Sequence, residues 1–448
     1  MNKIRPHIIK AYNNFRQVKK KKPICRAPFS NLYFSRTGHV LSCCFNRDFP
    51  IGKYPDQKPL DIWKGKQINT LRRAIKNNNL DYGCSVCKNE LIYKNFKGIM
   101  AKHFDFLEPK SKYPVMMEFE LDNTCNLECI MCDGSLSSSV RTNRDNKPKI
   151  NTPYDDHFLE YIKPLLKKTQ LLRFSGGEPF LIPMYYDIWD TTIKNNPNAH
   201  FFVQTNGTII NDKIRNYIAS GKFDIGVSVD SLNKEKFAYI RKNAKLDTIL
   251  KNIDEFIYLL RKQENDRSVI ISCTLTRENW QDIPDVLEYA NSIHSQIVFN
   301  TVWDPYEHAV HNLQSRQLHK IHQFLSGYDV PATTPNEKHN KTMFESQINQ
   351  IHNWYLKNKD YENRIKPLDN LSTSQIKTCL LKRIKIEQQP KHIVEKIHHL
   401  FDVINNEPFE RKKLEIIYKY PDPQIISVIQ NWSFDDILHE LNEQVKSS

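Results

Sequence analysis

Between residue 113 and about residue 306 the chain alternates six short β-rich runs with helix-length segments, and this alternation leaves few folds open. The runs are 115–121, 171–175, 201–204, 225–229, 269–275 and 297–302; helical patterns cover 233–260, with a break, and 283–293. Six alternations predict a parallel sheet with right-handed crossovers. In such sheets the loops leaving the strand C-termini build the site. The chain is 448 residues long, which predicts two or three domains.

Those loops carry the residues of interest. The first run leads into Cys125-Asn-Leu-Glu-Cys129-Ile-Met-Cys132, with no fourth cysteine nearby. Three thiolates can hold three irons of a [4Fe–4S] cluster and leave one iron open, whereas four would close it for electron transfer. An open iron can chelate a small molecule, as an open zinc position does. The second run ends in Ser175-Gly176-Gly177-Glu178-Pro179; two glycines permit close backbone approach and positive φ. The third ends in Thr205-Asn206-Gly207 and the fourth in Ser228-Val229-Asp230, placing small polar side chains at the sheet edge. Each motif alone also reads as an ordinary turn. Their order and placement at strand ends distinguish them.

This set resembles the radical S-adenosylmethionine (SAM) superfamily over roughly residues 113–306. The resemblance implies a partial (β/α)6 barrel, a [4Fe–4S] cluster on Cys125, Cys129 and Cys132, and SAM on its open iron. It assigns SAM contacts to Met131 (main chain, at adenine), Gly176, Gly177 and Glu178 (amino group), Thr205, Asn206, Ser228 and Asp230 (ribose and carboxylate side), and Arg241 (carboxylate). Arg241 also reads as an exposed helix arginine. The implied chemistry is reductive cleavage of SAM to a 5′-deoxyadenosyl radical that abstracts hydrogen from a substrate. A reductant protein such as flavodoxin or ferredoxin is then expected.

Upstream lie Cys25, Gly38 followed by Cys43 and Cys44, and Cys84-Ser-Val-Cys87, with Asp61-Ile62-Trp63 between them. This pattern resembles the auxiliary-cluster module called twitch, a relative of the SPASM domain, which implies a second Fe–S cluster on Cys25, Cys43, Cys84 and Cys87. The same cysteines could instead build a structural zinc site. Cys44 is a spare or an alternative ligand, since strand neighbours point opposite ways. Relatives of this kind carry the module after the barrel; here it comes first.

The expected organisation is a basic lead-in (1–24), the auxiliary module (25–112), the radical SAM core (113–306) and a mostly helical C-terminal region (307–448). Cys273 and Cys379 read as core residues. His308 with His311, and His319 with His322, are spaced i, i+3 without a carboxylate–histidine motif and read as solvated or partner-facing. Glu118 and Glu120 would share one strand face. The run 19–22 reads as a flexible basic arm.

Net charge is +14, which favours an acidic partner or nucleic acid, or else marks a solvated Lys-rich surface. No apolar stretch approaches membrane-spanning length, and the N-terminus lacks the apolar region of a signal peptide. Clustered cysteines in such a chain favour metal ligation, and a cytoplasmic location is expected. A peptide substrate is the favoured expectation, with a nucleic-acid-modifying enzyme and a non-catalytic metal-binding scaffold as alternatives.

Overall fold

The expected strands form as β4 (Met116–Phe119), β5 (Leu171–Phe174), β6 (His200–Thr205), β7 (Lys222–Ser228), β8 (Val269–Leu275) and β9 (Gln296–Thr301), each parallel to the next. The computed structural model describes residues 4–16, 23–92, 94–109, 112–262, 268–303, 305–364, 368, 371–384, 386–389, 391–420, 425–426, 428–429 and 433–447; the basic run 19–22 lies outside them. The sheet holds nine strands, because the cysteine-rich segment adds β1 (Asn31–Phe34), β2 (His39–Leu41) and β3 (Gly52–Lys53). Strand β1 pairs in parallel with β4, registering Asn31 with Met116 and Phe34 with Phe119. It covers an edge of β4 that would otherwise present unpaired amides. Strands β2 and β3 continue outward as antiparallel neighbours.

One sheet face carries a ladder of stacked rings, Phe34–Phe119–Phe174–Phe201–Phe223, with centroids 4.7–6.4 Å apart. Helices Asp156–Leu166 and Pro183–Asn195 cover it with Phe158, Tyr185 and Trp189. Each ring is almost wholly buried, and burial stabilises by roughly 1.5–3 kcal/mol per large apolar side chain. Asp155 caps the first helix by accepting the Phe158 amide, and Asn211 and Asn233 cap Asp212–Ser220 and Lys234–Ile240 in the same way. The helical break expected within 233–260 falls between Lys234–Ile240 and Leu246–Arg261, where Asn243 takes φ +78°.

The opposite face is polar. Glu118 accepts from Asn31 (2.6 Å) and faces Arg173 at 3.7 Å; Arg173 lies over the Phe202 ring. Gln204 donates to Ser228 (3.1 Å), and Asn300 to Ser272 (2.8 Å). Cys273 points to the other face and is fully buried, as a core residue would be.

In the lead-in, Pro6–Phe15 is helical with Ile8 and Tyr12 buried, and Arg16 pairs with Asp105 at 3.0 Å. The chain divides into two compact units: Met1–Leu313 with Gln317–His352, and Gln314–Arg316 with Asn353–Ser448. The second is helical. Thr373–Arg383, closed by a Ser372/Gln375 capping box, packs with Lys391–Asn405, Glu410–Lys419 and Phe434–Ser447 around Ile376, Leu380, Ile397, Ile404 and Leu414. Among the described residues no helix is long and apolar enough to cross a membrane.

Candidate metal centre

The loop after β4 is held at almost every residue. Asp122 turns the chain by accepting from Thr124, through its amide (2.7 Å) and its hydroxyl (2.8 Å). Three consecutive serines brace the cysteines from the segment that follows. Ser138 Oγ accepts the Cys125 amide (3.0 Å), Ser139 donates to the Cys125 carbonyl (2.7 Å), and Ser137 donates to the Leu127 carbonyl (2.7 Å). Arg144 donates to the Cys132 carbonyl (2.8 Å). On the far side, the Glu128 and Ile130 amides donate to the Lys242 and Ile240 carbonyls at 3.1 and 3.0 Å. The Glu128 carboxylate reinforces this seam by accepting from Lys242 (2.7 Å), Asn143 (2.9 Å) and Asn243 (3.0 Å).

Cys129 is buried; Cys125 and Cys132 are half-buried. Cys129 is drawn down by a hydrogen bond from Cys132 and by the Arg241 guanidinium, while Cys132 is pushed well up as that donor and by burial. Burial also raises Cys125. Two side-chain donors face the sulfurs: Asn206 Nδ2 stands 3.9 Å from Cys125 Sγ and Arg241 Nη1 stands 3.9 Å from Cys129 Sγ. Three thiols on one loop, two of them facing N–H donors, fit a cluster whose binding displaces the thiol protons.

The remaining expected site residues gather around this loop. Gly176 and Gly177 take φ +82° and +43°. A Cβ on Gly176 would lie 2.9 Å from the Asp122 carbonyl, so the turn packs directly on the cysteine loop. Glu178, expected to meet an ammonium, is fully buried and spends its carboxylate on the protein. It accepts from Thr205 Oγ1 and the Asn206 amide (both 2.7 Å) and the Phe180 amide (3.1 Å), tying the β5 loop to the β6 loop. Burial holds it up at about 7. Ser228 is engaged with Gln204, and Met131 is half-buried between the second and third cysteines. Asp230 is fully buried, accepts the Thr274 amide (2.7 Å), and stands 2.7 Å from Arg241. Arg241 is 7% exposed, so it is not the surface helix arginine of the alternative reading.

Sequence reasoning missed the serine brace, the Glu128 seam and Tyr185, whose hydroxyl accepts the Leu121 amide (3.0 Å) and donates to the Ser175 carbonyl (2.7 Å). It placed Glu120 on the same face as Glu118 but not the partners that gather around it at the end of β4. Glu120 is buried, held at about 7 by burial and by Asp133, and contacts Tyr33, Arg36 and Arg47 from the cysteine-rich segment. Arg36 also donates to Ser135 (2.8 Å), so that segment grips the loop beyond Cys132.

Cys25, Cys43, Cys84 and Cys87 line one small apolar pocket with Ile75, Leu80 and Phe104. Burial raises all four; neighbouring cysteines add to it for Cys25, Cys43 and Cys84, the last reaching about 12, and Glu90 adds to it for Cys87. The Ala27 amide stands 3.4 Å from Cys25 Sγ, and Asn46 Nδ2 stands 3.3 Å from Cys84 Sγ. Such donors compensate charge on thiolate sulfur, which suits a metal–sulfur group. Cys44 lies outside this lining; it is pushed up to about 12 by burial and by Glu118.

Residues 120–290 match the Radical SAM superfamily, and residues 25–88 match SPASM, an iron–sulfur cluster-binding domain. GTP 3′,8-cyclase of Campylobacter jejuni subsp. doylei is 24% identical over 225 residues, covering 50% of this chain and 66% of the relative. The AdoMet-dependent heme synthase of Methanosarcina barkeri is 27% identical over 182 residues, covering 40% and 48%. The match thus spans less than two thirds of these relatives' own length. Among solved structures, native anSMEcpe with bound AdoMet aligns with TM-score 0.36 at 21% identity, covering 47% of this chain and 58% of that one. Residues 120–290 thus form a domain of the radical SAM superfamily, whose members work with a [4Fe–4S] cluster and SAM, and residues 25–88 form an SPASM-type iron–sulfur cluster-binding domain ahead of it.

Proposed function

We propose that the chain reductively cleaves SAM at a cluster held by Cys125, Cys129 and Cys132 and uses the product to abstract hydrogen from a substrate. Bound there, the cluster and SAM supply a 5′-deoxyadenosyl radical. The residues proposed to position SAM are Met131, Gly176, Gly177, Glu178, Thr205, Asn206, Ser228, Asp230 and Arg241. The glycine turn offers bare main chain to the ligand, and buried Glu178 keeps two site loops in fixed register. Preorganisation of this kind spares the cost of ordering loops during reaction. Residues 25–112 act as the auxiliary module, with Cys25, Cys43, Cys84 and Cys87 as ligands of a second cluster; residues 113–306 act as the core and 307–448 as a helical extension.

The substrate we favour is a peptide. A cluster module beside the core accompanies peptide maturation in the superfamily the sequence resembles. The polar face of the sheet offers Glu118 and Arg173 as partners for main-chain amides and charged side chains. The protein is proposed to work in the cytoplasm with a small reductant protein.

The observation that carries the reading is the cysteine loop, whose backbone is held on both sides at the C-terminal end of β4 and carries all three thiols. The test is anaerobic reconstitution with iron and sulfide, followed by SAM and a strong reductant. Two clusters predict about eight irons per chain, falling to about four when Cys125, Cys129 and Cys132 are all replaced by Ala, with 5′-deoxyadenosine released only by the native chain. Absence of both iron and 5′-deoxyadenosine would sink the enzyme reading. About four irons with zinc in the upstream pocket would remove only the second cluster.

A further inference from the structure

We propose that Arg241 sets the reduction potential of the SAM-site cluster through Cys129, with Asp230 as its counterweight. This goes beyond the SAM contact proposed above and rests on the cluster assigned to Cys125, Cys129 and Cys132.

The backbone fixes the pair. The two amides flanking Cys129, those of Glu128 and Ile130, donate to the two carbonyls flanking Arg241, those of Lys242 and Ile240. Two short strands of chain are thereby sewn together with residues 129 and 241 opposite one another. The Arg241 amide is also held, donating to the Phe237 carbonyl (2.8 Å) at the end of Lys234–Ile240. The guanidinium is then aimed from both ends. Nη1 stands 3.9 Å from Cys129 Sγ, and Nε stands 2.7 Å from Asp230 Oδ2. That second contact is off-axis for a hydrogen bond, so it is a contact of charges. Asp230 cannot swing away, because its other oxygen accepts the Thr274 amide and its carbonyl accepts from Asn279 (2.8 Å).

The electrostatics follow. A guanidinium stays protonated in proteins, and Asp230 at 2.7 Å pairs with its buried charge. Reduction adds one negative charge to a cluster. A fixed cation beside a ligand sulfur, in a site shielded from water, favours the reduced form and raises the potential. A buried carboxylate behind that cation partly cancels it. Removing each partner must therefore move the potential in opposite directions.

The experiment is an EPR-monitored redox titration of the reconstituted full-length protein, following the cluster signal that SAM perturbs, with iron and sulfide measured for every variant. Arg241→Gln is expected to shift the midpoint negative by at least tenfold in the reduction equilibrium, ~59 mV for one electron. Arg241→Lys, which keeps the charge, should stay closer to the native value, and Asp230→Asn should shift the midpoint positive. If Arg241→Gln fails to hold iron, the other two variants decide. Midpoints equal to the native one, with or without weakened SAM binding, would overturn the proposal and leave Arg241 as a SAM ligand or a brace. A native protein with no SAM-perturbed cluster would instead defeat the reading of the site itself.

Discussion

Glu128 shows how a spacer position becomes structural. It sits between two cysteines, where the motif leaves the residue free, yet its carboxylate gathers Lys242, Asn143 and Asn243. Those bonds, led by the one from Lys242, hold it down at about 2. A depressed carboxylate stabilises the fold above its unfolded pKa and loses that contribution as pH falls through the folded value. Glu128→Gln should therefore cost about 1.5–3 kcal/mol in urea unfolding at neutral pH, the range for a charge-assisted hydrogen bond. The native advantage should fade as the pH falls from the ordinary value of 4.5 toward about 2. A gap between native and variant that is constant over that range would show that the carboxylate charge is not what holds the seam. The sequence displays the three cysteines because their spacing is local. It hides Glu128 because its ionic partner lies 114 positions away. Glu178 was legible as a candidate for the same local reason, but its full use within the protein was not, because Thr205 and Asn206 arrive from the next strand.

At the scale of elements, the six parallel strands and the break at Asn243 were readable from β-rich runs and helical spacing. The parallel partnership of β1 with β4 was not. Asn-Leu-Tyr-Phe is buried at all four positions and carries no alternation that would name its neighbour. That partnership also explains why Cys43 and Cys44 part company: one lines the apolar pocket, while the other is the cysteine affected by Glu118 and Arg173 on the polar face. The strand-to-helix turn at Gly176 and Gly177 is the element most exposed to a single change. A methyl group on Gly177 would press inside van der Waals distance of the Thr124 carbonyl, and φ +43° is unfavourable for alanine. Gly177→Ala should lower thermal stability by about 1–3 kcal/mol and reduce the iron retained at the SAM site. Gly327→Ala, whose methyl would meet nothing closer than 3.5 Å, should change stability by no more than about 0.5 kcal/mol. Equal behaviour of the two variants would show that the turn does not constrain the cysteine loop.

At the scale of the whole molecule, the two cysteine sets belong to opposite ends of the same strands. Cys25 and Cys43 pack with Val115, Met116 and Leu171, where β4 and β5 begin, whereas Cys125 follows the end of β4. The cysteine-rich segment 25–112 carries 16 Lys and Arg against 7 Asp and Glu, a net +9 of the chain's +14. An acidic reductant protein is steered to such a surface at long range, and salt screens that steering beyond about 10 Å at 0.1 M. Lys94 and Lys97 follow Cys87 on the chain and are exposed. Charge reversal, Lys94→Glu with Lys97→Glu, should slow reduction of the protein by an acidic flavodoxin several-fold at low salt. It should leave reduction by a small chemical reductant, and the iron content, unchanged. Raising the salt should slow the native protein toward the rate of the variant, because screening and charge reversal remove the same attraction. Stopped-flow absorbance of the cluster measures each of these rates. If the native rate with flavodoxin ignores salt, the charge of this segment does not steer the donor.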